Sequence, residues 1–176
     1  MSSTRELFGG AITVNIPTIL IDASNLRQIP DTQEVFLHPK SGESLIVEVL
    51  QSVDRPDPQE AAKFHFESLA HDNSAAGQQV HETSVSPTHN GQTPAPVLLY
   101  GTQLIPKFNA TTPDEVQILL ALYRVPNKHV DLVMTMNVPT KAADGGAVTK
   151  EELAEARRTF EVAASSLNIV KFELFA

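Results

Sequence analysis

The run from Thr149 to Leu167 constrains this chain more than any other stretch. Thr149 and Glu152 stand at the spacing of a capping box, and Leu153, Ala156, Phe160, Ala163 and Leu167 then recur at alternating steps of three and four. The pattern predicts a helix with one apolar stripe, roughly 27 Å long at 1.5 Å per residue. Lys150, Glu151, Glu155 and Arg158 fall on its outer side. Such a helix persists only when its stripe is buried, so the remaining chain must supply a broad apolar surface.

That surface reads as a sheet. Ile12, Val14 and Ile16 alternate with Thr13 and Asn15 until Pro17. Residues 33–38 and 43–50 are two further strands across a turn at 39–42, and 96–105 is another. In 130–138, Val130, Leu132, Met134 and Met136 alternate with Asp131, Thr135 and Asn137. A second helix opens with Asp57 as N-cap, Pro58 at its first position and Glu60 at capping-box spacing; Ala62, Phe66 and Leu69 share one face. Residues 114–125 fit two descriptions. Val116, Leu119, Leu120 and Tyr123 follow a helical face behind Thr112 and Pro113, whereas Val116, Ile118, Leu120 and Leu122 follow a strand face. The stretch around 72–96, with Gly77, Pro87, Gly91 and Pro94, is a polar, mobile connection carrying one strand near 79–85. Hairpin-length links between most elements point to an α/β sandwich with a largely antiparallel sheet, and 176 residues suit a single domain over 1–176.

Composition narrows the chemistry. With no cysteine the chain has no disulfide, thiolate zinc site or cysteine nucleophile. The opening MSSTRELFGGA has no apolar leader core, and no apolar run reaches about 18 residues, so the expected compartments are nucleus and cytoplasm, without membrane association. The formal net charge is −8 and uneven: residues 1–72 hold 5 Lys+Arg against 11 Asp+Glu, residues 73–176 hold 8 against 10. A nucleic-acid binder needs a basic stripe; an acidic half favours a basic protein partner.

Motifs of covalent chemistry are missing. Phe8-Gly9-Gly10-Ala11 lacks the spacing of a phosphate loop and reads as a structural turn. His65-Phe66-Glu67 resembles one half of a zinc-deaminase motif without its cysteines, so His65 is expected on the surface or boundary of its helix, and neither metal nor cofactor is expected. Neither Gly-x-Ser-x-Gly nor Ser-x-x-Lys occurs at a strand end. Asn109-Ala110-Thr111 matches a glycosylation acceptor that is incidental without a secretory leader. What stands out is residues 21–36, where Asp22, Asp31 and Glu34 have no lysine among them. Asp22 or Ser24 suits the cap of a short turn through Leu26, and Asp31 suits the turn after Pro30. Glu34 has no such local use, and as an acid/base pair Asp31 and Glu34 lack the burial that would split their pKa values.

Leu7-Phe8-Gly9-Gly10-Ala11, residues 21–27, Ile29-Pro30-Asp31-Thr32-Gln33-Glu34-Val35, His38-Pro39, residues 44–48, Phe64-His65-Phe66-Glu67 and the ending Leu174-Phe175-Ala176 together resemble the Mog family of Ran guanine-nucleotide release factors. The resemblance is dense over 7–67, clear again at 131–139, and faint over 72–96. It implies a Mog/PsbP-like fold, an α/β/α sandwich with a central sheet of about six strands, and it makes 114–125 a strand paired with 130–138. It further implies that the protein binds the small GTPase Ran, promotes nucleotide release with preference for the GTP form, and supports nuclear import; the expected state is a monomer. Asp22, Asp31 and Glu34 are the implied partner-binding residues. A release factor makes and breaks no covalent bond, so this is no enzyme in the strict sense. An adaptor that takes another basic partner on the same acidic surface remains the alternative.

Overall fold

The computed structural model describes residues 1–87 and 89–176. Its centre is a seven-stranded antiparallel sheet in the order β3 (Ile21–Asp22), β4 (Gln33–Leu37), β5 (Ser44–Gln51), β9 (Val130–Lys141), β8 (Asp114–Val125), β7 (Val97–Ile105) and β6 (Gly77–Val85). A smaller sheet, β1 (Ser2–Leu7), β2 (Ile12–Pro17) and β10 (Asn168–Ile169), lies apart from it. The expected six strands are therefore seven, because Ile21 and Asp22 pair with β4, and the alternating stretch at 12–17 joins the small sheet instead. Sheet membership is a long-range property that alternation does not encode.

Residues 114–125 form β8, paired with β9 in a hairpin whose register joins Val125 to Val130 and Leu119 to Met136. The strand reading of its apolar residues holds and the helical one does not. Strand β8 is apolar on both faces, Ile118, Leu120 and Leu122 on one and Leu119, Ala121 and Tyr123 on the other, which produces the appearance of a helical stripe. The two faces feed two cores. One lies between the sheet and α2 (Lys150–Ser166) with the small sheet; the other lies beneath α1 (Pro58–Asp72).

Both helices start at the expected caps, but only α2 closes a capping box. Thr149 and Glu152 close a reciprocal capping box, and Ala156, Phe160 and Ala163 are buried. The Asp57 carboxylate accepts from Gln59 N at 3.2 Å, while Glu60 turns to Lys63 at 3.4 Å. The polar stretch around 72–96 carries β6, and the part beyond it is fastened to the far end of α2. Asn90 Nδ2 donates to the carbonyls of Ser165 and Leu167, and the buried Thr93 hydroxyl accepts from Ile169 N at 2.8 Å.

Candidate partner-binding surface

Asp22 and Glu34 sit at one corner of the main sheet, on the adjacent strands β3 and β4, and Asp31 lies in the turn that leads into β4. Asp22 caps the turn Ala23–Asn25, accepting from Ser24 N at 2.9 Å and Ser24 Oγ at 2.7 Å, as its position before that turn suggests. Asp31 is exposed inside the turn closed by Gln33 N and Pro30 O at 3.0 Å. Glu34 sits on β4 opposite Val47, on the side of the α2 core, and is half-buried.

Glu34 supplies what local sequence could not explain. Its Oε2 accepts from Phe8 N at 3.0 Å, so the Phe8-Gly9-Gly10 turn reaches across 26 positions to hold it. Phe8, Gly9 and Gly10 all have positive φ, at 52°, 68° and 92°. Two glycines tolerate this; Phe8 is the one residue with a side chain in that run, and its strained backbone aims the N–H. Burial pushes the Glu34 carboxyl above its ordinary range, the Phe8 N–H pulls it back in part, and the charge of Asp22 adds to the rise. Asp22 and Glu34 therefore feel one another, while Asp31 marks the neighbouring turn.

None of the ion pairs among the described residues includes Asp22, Asp31 or Glu34. Arg5 spends its guanidinium on the carbonyls of Pro17, Thr18 and Leu20 and on the ring of Phe36. Exposed apolar residues Ile19, Ile21 and Leu26 flank the corner. The corner thus sets exposed Asp31 and half-buried Glu34 beside an apolar margin.

His65 corrects an expectation. It is buried, not a boundary residue: Nε2 lies 2.7 Å from Oδ2 of the fully buried Asp131. Asp131 also takes Val53 N at 3.2 Å and Arg124 Nε at 3.1 Å, and Arg124 continues to the carbonyls of Val53 and Arg55. Burial alone would raise the Asp131 carboxyl, but the bonds from His65, Val53 and Arg124 outweigh it and hold it low. The cluster clamps α1 and the 52–55 segment to β8 and β9. A helical His one turn from an apolar face, with a lone Asp in a buried strand, was the available signal. No group of three or more His, Asp or Glu that could hold a metal exists among the described residues. No helix there is long and apolar enough to cross a membrane.

Sandwich and corner together define an α/β/α sandwich domain with carboxylates on the short-stranded edge of its seven-stranded sheet. The model of the family described as "Ran-interacting Mog1 protein" matches residues 5–139. The Ran guanine nucleotide release factor of Homo sapiens is 38% identical over 147 residues, covering 79% of this chain and 78% of that protein. The Nuclear import protein MOG1 of Saccharomyces cerevisiae is 33% identical over 162 residues, 84% of this chain and 71% of that one. The crystal structure of the Saccharomyces cerevisiae Ran-binding protein Mog1p superposes with a TM-score of 0.77 at 28% identity, over 100% of this chain and 99% of the other. The chain belongs to the Ran-interacting Mog1 family.

Proposed function

We propose that this protein binds Ran and promotes release of its guanine nucleotide, in support of nuclear import, acting as a monomer in nucleus and cytoplasm. Relatives of this family are named as Ran guanine nucleotide release factors and as a nuclear import protein, which supports the partner and the process. The observation that carries the site is the set Asp22, Asp31 and Glu34, three carboxylates that form no ion pair among the described residues.

The mechanism follows from what a GTPase pocket contains. Its nucleotide is held by a P-loop lysine and a magnesium ion, so carboxylates docked beside it pair with the lysine and repel the phosphates. The release factor thereby favours the empty pocket, and it shifts the equilibrium only by its differential affinity for the two states. Asp31, exposed on its turn, makes the encounter; Glu34, pinned by Phe8, presents its remaining oxygen in a fixed direction.

Release of labelled GTP and GDP from purified Ran, with and without this protein, tests the reading. Acceleration is expected. Asp31→Ala is expected to keep the fold and weaken Ran binding about ten- to a hundredfold, on the scale of one close charge pair of about 1.5–3 kcal/mol. Binding without accelerated release would leave an adaptor in its place.

A further inference from the structure

The sheet face beneath α1 is covered unevenly. The helix packs over β6, β7 and β8, and toward β5 a cleft of about 400 Å³ remains, walled by Leu50, Leu69 and Leu120. Its lining includes the carboxylates of Glu48 and Asp72 and no lysine or arginine. Thr135, on the floor, is 8% exposed, and its hydroxyl has no hydrogen-bond partner among the described residues. No fully enclosed side-chain oxygen or nitrogen lacks a partner there, so the Thr135 hydroxyl opens on the cleft.

His65 Nε2 lies 2.7 Å from Asp131 Oδ2, and the residue stands in the wall of the cleft. Glu48 gives Oε2 to Gln33 Nε2 at 2.7 Å and keeps Oε1. The C-terminus of α1, at Asp72, lies alongside, where the helix dipole favours a positive charge. An apolar passage ending in a hydroxyl and two carboxylates matches a group with an aliphatic stem and a cationic head rich in donors.

We propose that this cleft binds the side chain of an arginine presented by a partner polypeptide, its guanidinium shared among Glu48, Thr135 and Asp72 and its stem laid on Leu50 and Leu69. The site is separate from the acidic corner: Glu48 pairs with Gln33 on the α1 face of the sheet, whereas Glu34 and Val47 face α2. It stands whether or not Ran is the partner at that corner.

The test is a two-dimensional amide NMR titration of the full chain with acetyl-Gly-Arg-Gly-amide, its citrulline counterpart and butylguanidinium. Saturable shifts at Leu50, Leu69 and Thr135 are expected with the arginine peptide and not with citrulline. Thr135→Val and Glu48→Gln, with spectra otherwise unchanged, are each expected to weaken that binding about tenfold, as loss of a charge-assisted hydrogen bond does. Absence of shifts at those amides, equal response to citrulline, or full affinity in both variants overturns the proposal. Binding of butylguanidinium as tight as that of the peptide overturns the polypeptide assignment in favour of a free cation.

Discussion

Glu34 shows how one side chain serves the fold poorly and the surface well. Its carboxyl is raised above the ordinary 4.5, chiefly by burial. A raised acid favours the folded state only while protonated, so its contribution is complete below the unfolded value and is lost as pH rises through the folded one. At neutral pH the ionised form therefore costs stability. Glu34→Gln, which keeps an acceptor for Phe8 N, is expected to be no less stable than the parent in urea at pH 7 while weakening Ran binding. A cationic partner restores the ionised form, so affinity is expected to rise with pH through the raised value, and this dependence should vanish in Glu34→Gln. A substitution that destabilised the chain would make the carboxylate structural.

Asp131 has the opposite sign. Its carboxyl is held below 3.8, so it stabilises the fold above the unfolded value, and that stability is lost as pH falls through the lowered one. Asp131→Ala leaves His65 and Arg124 facing a void, and a loss of about 3–5 kcal/mol in urea unfolding is expected.

Elements fit one another by exclusion as much as by attraction. Gly101 in β7 lies beneath α1, where an added Cβ would stand 2.7 Å from Gln79 O and from the Phe66 ring. The absence of a side chain lets helix and sheet close together. Gly101→Ala is expected to cost about 1–3 kcal/mol of thermal or urea stability, the scale of overpacking in a dense core. β1 illustrates the limit of local pattern: in Ser2–Leu7 only Leu7 is buried, and the strand exists because β2 pairs with it along its length.

At the scale of the molecule, charge and scaffold divide the work. The long β8–β9 hairpin and two helices fix the sheet, and the acidic corner hangs on its short-stranded edge, where a partner can approach without disturbing either core. Ran binding carried by exposed carboxylates is expected to weaken as salt rises, with screening over about 8 Å at physiological ionic strength. Titration calorimetry across a salt series checks this; affinity independent of salt would place recognition on the apolar margin of Ile19, Ile21 and Leu26.

The sequence by itself determined both helix starts, most of the central strands, the turn capped by Asp22 and the excess of unbalanced acid near residues 21–36. Those features depend on neighbours within a few positions, so periodicity and capping residues reveal them. Tertiary structure alone decided which sheet Ile12–Pro17 would join, that a buried Asp131 would claim His65, and that Phe8 would reach Glu34. Each depends on atoms brought together from distant parts of the chain, and a backbone N–H 26 residues away leaves no trace in the pattern around the carboxylate it holds.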